Sequence, residues 1–558
     1  MNHKLRSNFE EGSTRWAVRR AQWIAMGIPE ADFEKPKIAI INSSSGLSVC
    51  YQHLDEMSVL AQQAVKEAGG LAFEINTIAP SDFVTSAGKK ARYLMPTRDL
   101  MVNDIEVMME GAVLDGMILL SSCDKTTPAH IMAAARLNVP AMVVPCGYQL
   151  GGNCNGKAVD IEEVYKGVGT LLTGKMTLDD MKDWTRCAIQ GPGVCAGLAT
   201  ANSMHCMAEA LGMALPQTTP VRAGSDRLKQ IIRTAGAKIM ELVEQDLRPR
   251  DILTKEAFQN AVRVAISIGC SVNTVRHLAA ISVEAELDLD IVKMFEEESA
   301  GFSLITQIRP NGPDRIEDLD RAGGTNAVMH RLQSQLNTGV QTVQNTTLSV
   351  ILSKETVIDE TIIRKTTDPF RKEPGLAIIR GNIAPSGAIV KLSGIDGANR
   401  IFKGPARVYE EEDLAMQELA KGNIVKGDIV VLRMMGPVGG PGTVFACSFM
   451  AALSGAGLAD TVAVVTDGEL SGLNKGITIG QVMPEAACGG PLAIIEEGDS
   501  ILIDLDNRKI DLQIPEAEYQ NRMRNWQPKQ RKLENNWLKF YADNVMPIEQ
   551  GAVFGRRN

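Results

Sequence analysis

Cys123, Asp124 and Lys125 place a thiol, a carboxyl and an amine on consecutive residues, directly after the apolar run at 116–120. Such groups are costly to bury unless they bind something, and an exposed loop with a solvated Asp–Lys pair is the plainer alternative. A second cysteine, Cys195, sits in the glycine-rich run GPGVCAGLATAN at 191–202. Its glycines permit close backbone approach to a ligand. The pattern puts Cys195 at the entrance of a helix continuing to Gly212, where a thiolate or an anion is favoured. A packed turn needs the same glycines for positive φ alone. The run GPVGGPG at 436–442, with Gly440 and Gly442, suits a loop wrapped around a small anion, and a plain linker has the same composition. TDGELSG at 466–472 offers the Ser471 hydroxyl in a glycine-bounded turn after a strand, although most serines so placed only hydrogen-bond backbone.

The chain around these motifs is 558 residues long, more than one core usually serves, so two or three domains are expected. A formal net charge of −9 without a local basic block argues against a nucleic-acid partner. The N-terminal stretch carries both charge signs and no apolar segment of the secretory kind. Six glycines and two prolines interrupt the least charged stretch, 434–458, which reads as loop plus buried helix and not as a membrane span. A cytoplasmic location follows as an expectation. In a reducing compartment the 10 cysteines are not disulfide partners, and none forms a C-x-x-C pair. Most should be small buried hydrophobes.

The elements that must position the motifs alternate in the first half. Apolar runs at 37–41, 116–120 and 141–145 read as strands, with helical patterns at 54–68 and 129–136 between them. This rhythm predicts a parallel sheet flanked by helices, with its ligand crevice beyond the carboxyl ends of the strands. Both the 43–50 loop, which ends in Cys50, and the 121–125 loop fall there. The middle, 225–344, is helix-rich, and a joint is expected within 359–375, where charge, Thr and Pro cluster. Beyond it come short strands at 376–380, 389–392, 428–433, 461–466, 500–505 and 509–514, the last two joined as a hairpin, then a helical tail at 516–544. The fold class expected is α/β: a parallel-sheet domain over 1–365 and a β-rich, barrel-like domain over 366–558.

Taken in order, the motifs closely resemble one family, the iron–sulfur dehydratases that include dihydroxy-acid dehydratase, the aldonic-acid dehydratases and 6-phosphogluconate dehydratase. The resemblance runs through VCYQHL at 49–54, PSDF at 80–83, CDKTTPA at 123–129, GVCAGLATANSM at 193–204, GGTNAV at 323–328 and GNIAPSGAIVK at 381–391. It continues through GGPG at 439–442, TDGELSG at 466–472 and PEAACGGP at 484–491. It implies a hydro-lyase that turns a 2,3-dihydroxy carboxylic acid into a 2-keto acid, with 2,3-dihydroxyisovalerate as the model substrate and a sugar acid as the alternative. It further implies a [2Fe–2S] cluster on Cys50, Cys123 and Cys195, and Mg²⁺ held by Asp82, Asp124 and a carbamylated Lys125. Ser471 takes the role of base at C2, and Thr200, Gly440 and Gly442 are expected at the substrate. Relatives form dimers or tetramers, so a homodimer or homotetramer is expected.

One departure matters. Relatives carry a magnesium-ligating glutamate shortly after the GGPG loop, where this chain has Phe445, and an arginine where this chain has Glu469. Glu469 is therefore expected to supply the missing carboxylate from the adjacent loop. Gln481 also replaces a frequent histidine. A member that has lost catalysis and keeps its cluster for sensing or assembly is the competing reading.

Overall fold

The protein is described from a computed structural model covering residues 5–78, 92–395, 400–442, 447–470, 475–528 and 536–555. Strands β1 (Lys37–Asn42), β2 (Leu71–Asn76), β3 (Gly116–Ser121) and β4 (Ala141–Pro145) form a parallel sheet in the order β2-β1-β3-β4. Every residue of β1, β3 and β4 is buried, which is why they read as uninterrupted apolar runs. β2 is an edge strand with one buried residue, Ile75, and its mixed sequence LAFEIN gave no strand signal. A small sheet follows, built from β5 (Leu150–Cys154), β6 (Lys157–Val159) and β7 (Ile189–Gln190). The helix-rich middle agrees with the sequence reading, from Asp226–Gln245 to Gly324–Arg331.

The C-terminal half is an eight-stranded sheet in the order β15-β14-β10-β11-β12-β13-β9-β8. Its strands are β8 (Leu376–Ile379), β9 (Gly387–Lys391), β10 (Ile401–Tyr409), β11 (Ile429–Leu432), β12 (Ala463–Thr466), β13 (Thr478–Met483), β14 (Ser500–Asp504) and β15 (Lys509–Leu512). The expected hairpin is β14–β15. Arg380, just past β8, makes a single bridge to Lys509 of β15, so the two edges approach and the sheet is nearly closed and barrel-like. Gly381 allows this: a Cβ there would sit 1.9 Å from the Ile510 carbonyl oxygen. Alternating aliphatics such as Ile379, Val390, Val431, Val465, Ile479 and Ile503 fill the barrel. Among the described residues no helix is long and apolar enough to cross a membrane.

Two local readings change. The helix after Cys195 begins only at Thr200 and ends at Ala210, so Cys195 lies in a preceding loop and gains nothing from a helix N-terminus. The cause is local: the Asn202 amide donates back to the Cys195 and Gly197 carbonyls (2.7 and 2.8 Å), capping the segment as a loop. Conversely, the helix after Cys123 starts earlier than read, at Thr126, directly behind Lys125.

Candidate active site

β1 and β3 are neighbours, so the loops leaving their carboxyl ends emerge side by side. Cys50 and Cys123 are buried on these loops, and Cys195 is half-buried on the third. Hydrogen bonds tie the three loops together. Ser122 Oγ donates to the Cys50 carbonyl at 2.6 Å, and the Gly193 amide donates to the Val49 carbonyl at 3.2 Å. His205 Nε2 donates to the Ser122 carbonyl (2.8 Å), and Tyr51 Oη meets Thr126 Oγ1 (3.1 Å). None of the three cysteines is in a disulfide. Cys146, Cys206 and Cys270 differ in kind. Burial pushes their thiols up, that of Cys270 to about 12, so they remain protonated packing groups. Among the described residues no three His, Cys, Asp or Glu side chains converge as on a single metal ion. A two-iron cluster distributes its thiolates over two metals, and three cysteines outside disulfides on conjoined loops are a donor set of that chemistry.

Lys125 points from the same corner to the barrel domain. Its Nζ donates to Glu469 Oε1 at 2.9 Å, and the Arg276 guanidinium pairs with the same oxygen. All three side chains are fully buried. Burial alone would raise the Glu469 carboxyl, but Arg276 and Lys125 outweigh it and hold it below the usual carboxylate range. The second oxygen, Oε2, is buried without a hydrogen-bond partner. Asp124, the neighbour of Lys125 in sequence, is also buried. A buried carboxylate oxygen without a hydrogen-bond partner is a donor suited to a hard cation, provided Lys125 contributes an oxygen and not a positive charge.

The glycine-rich loop is folded upon itself. The Gly440 and Gly442 amides donate to the Gly436 and Pro437 carbonyls (2.8 and 2.9 Å). The Glu485 carboxyl accepts from the Val438 and Gly439 amides at 3.0–3.2 Å. Those four donors are therefore committed, and any ligand would meet the carbonyl or Cα face of this loop. Gly442 has φ +82°, and a Cβ there would lie 2.0 Å from the Arg92 carbonyl oxygen, so only glycine fits. Asp467 locks the neighbouring turns by accepting from the Met434, Met435 and Ala486 amides.

Thr200 belongs to a polar string. Its Oγ1 contacts Ser271 Oγ (2.9 Å) and accepts from Asn273 Nδ2 (3.1 Å). Asn273 Nδ2 also donates to the Leu470 carbonyl (2.9 Å), and Gln481 Nε2 donates to Asn273 Oδ1 (3.0 Å). The string thus holds the backbone immediately before Ser471. Asp82, Phe445 and Ser471 lie outside the described residues. Asn273, Arg276 and His277 were missed by sequence reasoning. Their signal was available: three polar residues at spacings of three and four share one face of the buried helix Asn273–Glu284.

The hydrogen-bonded cysteine loops leave a parallel α/β sheet, and Lys125 beside them reaches Glu469 in the barrel-like half of the chain, an arrangement of the enzyme class rather than of a simple scaffold. The dihydroxy-acid/6-phosphogluconate dehydratase N-terminal model matches residues 35–351, and the C-terminal model matches residues 361–552. The dihydroxy-acid dehydratase of Acetivibrio thermocellus is 38% identical, covering 98% of this chain and 99% of its own. That of Aquifex aeolicus is 38% identical over 99% of both, and that of Methanothermobacter thermautotrophicus 39% identical over 96% of this chain and 97% of its own. The chain belongs to the dihydroxy-acid/6-phosphogluconate dehydratase family and is a hydro-lyase, as the motifs implied. Membership is consistent with an iron–sulfur or other metal cofactor.

Proposed function

We propose that the protein dehydrates a 2,3-dihydroxy carboxylic acid to a 2-keto acid at the joint of its two domains. The observation that carries this reading is the meeting of Cys50, Cys123 and Cys195 loops with the buried Lys125–Glu469 pair at one corner of the parallel sheet. Its relatives' names favour the same substrate class.

Cys50, Cys123 and Cys195 would hold a [2Fe–2S] cluster. Asp124, Glu469 through its open Oε2, and carbamylated Lys125 would hold Mg²⁺, with Asp82 as a further ligand. When bound, these groups supply Lewis-acid assistance to loss of the C3 hydroxyl and charge stabilisation at the substrate carboxylate. The chain's own work is to place and move protons. Ser471, as an alkoxide, takes the C2 proton; the electron pair forms the C2–C3 double bond, and the C3 hydroxyl leaves with a proton as water. The enol then tautomerises to the 2-keto acid. Asn273, Thr200 and Gln481 fix the Leu470 backbone and so aim the base. Buried histidines take no part as acids at neutral pH: burial drives His205 down to about 4 and His130 to about 3.

Anaerobically prepared protein should contain about two iron and two sulfide per chain and form 2-keto acid from 2,3-dihydroxy acids. Cys50→Ser, Cys123→Ser and Cys195→Ser should each lose iron, whereas Cys206→Ser should keep it. Iron-free wild type after anaerobic reconstitution would sink the cluster assignment. Iron without turnover on any dihydroxy acid would favour the sensing reading.

A further inference from the structure

Cys154 and Cys187 have no task in the scheme above, yet the fold brings them together. Cys154 ends β5 at a tight hairpin, paired with Lys157 of β6 across Asn155 and Gly156, both at positive φ. Cys187 is the last residue of the helix Leu178–Cys187, just before β7. β7 pairs with the start of β5, Leu150 with Gln190 and Gly151 with Ile189, which lays the helix end against the middle of β5. The approach is close: a Cβ on Gly152 would lie 1.8 Å from the Cys187 carbonyl oxygen. Side chains alternate along a strand, so Cys154, two residues on, projects from the same face as that missing Cβ. The Cys187 sulfur hydrogen-bonds the Cys154 thiol and, ahead of burial, pushes it up to about 11. Both pack in one small apolar cluster with Val159, Trp184 and Ala188, and neither is in a disulfide.

Exposure separates this pair from the core thiols. Cys206 and Cys270 also influence one another, but both are wholly buried, out of reach of an oxidant. Cys187 is half-buried and Cys154 buried, so one sulfur meets solvent while the other waits behind it. That is the arrangement of an attacking and a resolving thiol.

The pair also sits at the base of a cysteine loop. The chain leaves Cys187 through β7 and the turn at 191–193, and reaches Cys195 eight residues on. On the other side, the Gln149 amide, just before β5, donates to the Val194 carbonyl at 2.8 Å, and the Val194 amide donates to the Gly147 carbonyl at 3.0 Å. The segments that carry the two thiols therefore flank the Cys195 loop.

We propose that Cys154 and Cys187 form a modification site, which a small-molecule disulfide oxidises to an intramolecular disulfide that clamps the base of the Cys195 loop. The Cys187 thiolate attacks the S–S bond of the reagent, forming a mixed disulfide and releasing one thiolate. The Cys154 sulfur then attacks Cys187 Sγ and expels the second. The protein gives up two electrons and two protons, and one reagent disulfide becomes two thiols. Neither cysteine is among the proposed cluster ligands, so the site stands apart from the cluster assignment.

The test incubates the full-length protein anaerobically with glutathione disulfide, blocks the remaining thiols by alkylation and maps the peptides by mass. Wild type should yield a peptide pair cross-linked through Cys154 and Cys187, released again by dithiothreitol. Cys154→Ser should stop at a mixed disulfide on Cys187, and Cys187→Ser should react at Cys154 at least ~10-fold more slowly. In oxidised wild type, amide exchange over 188–194 should slow by ~10-fold or more, because the cross-link closes a loop of ~30 residues. A wild type that stays unmodified, or that keeps glutathione on Cys187 without cross-linking, overturns the proposal whether or not the variants fold. A cross-link from either cysteine to a different thiol does so too. Cross-linked protein with unchanged exchange over 188–194 overturns the clamp.

Discussion

Glu469→Gln isolates the charge at the domain joint with almost no change in shape. In the metal-free protein, with Lys125 uncarbamylated, one carboxylate oxygen receives both Lys125 and Arg276, and none of the three side chains reaches solvent. The amide keeps an oxygen acceptor but removes the negative charge, leaving two cations buried against each other. Removing one partner of a buried ion pair typically costs ~3–5 kcal/mol. At a urea slope of ~3 kcal/mol per M, the unfolding midpoint should fall by about 1–1.7 M. The pH dependence provides a second reading of the same quantity. Glu469 has a depressed pKa in the folded state, so its stabilisation is present above the unfolded carboxyl value of 4.5 and is lost as pH falls through the folded one. The gap between wild type and variant should therefore be widest near neutrality and close in acid. Urea titrations across pH, with bound metal measured alongside, check both statements. A midpoint unchanged at pH 7, or a gap constant with pH, would show that the two cations are neutralised elsewhere and that Glu469 is not their counter-charge. Metal content and rate unchanged in the variant would refute its role as a cation ligand.

Two further outcomes follow from the glycine-rich loop. Burial, with Asp467 nearby, pushes the Glu485 carboxyl up to about 8. The folded protein then keeps a proton that the unfolded chain releases from about pH 4.5 upward, so this group's contribution to stability falls as pH rises through that window. Glu485→Gln should gain on wild type by up to ~1.4 kcal/mol per pH unit between pH 5 and 8, and parallel stability curves would refute it. Gly442→Ala forces both a positive φ on alanine and a clash with the Arg92 carbonyl. It should destabilise by at least ~1–3 kcal/mol and lower turnover, whereas Gly46→Ala, with open space around it, should be silent in thermal melts and assays.

What could be read from sequence depended on how local each signal was. β1 and β3 were visible because strands buried on both faces leave unbroken apolar runs. β13, TIGQVM, stayed hidden because its pairing shifts register at a bulge, with Gln481 at φ +53°. The cysteine loops were legible for a similar reason, since a chemical group following a strand end needs only its neighbours in sequence. Arg276 was not, because its meaning depends on Glu469, almost two hundred residues away. A polar residue on an apolar helix face announces a partner without naming it.

That difference divides the site physically. The cysteine half is fixed by short bonds between loops of one domain, such as Ser122 to Cys50 and Gly193 to Val49. The charged half closes only across long stretches of chain: Lys125 to Glu469 spans 344 residues, and Arg98 to the tail carbonyls 453 and 454. Loop-closure entropy makes such contacts late and costly to form. Until the barrel and the C-terminal tail have docked, Lys125, Arg276 and Arg98 are cations awaiting burial without counter-charges or carbonyls. Docking of the two domains and completion of the charged half of the site are thus one event, and a chain whose tail is displaced loses the carbonyls that hold Arg98.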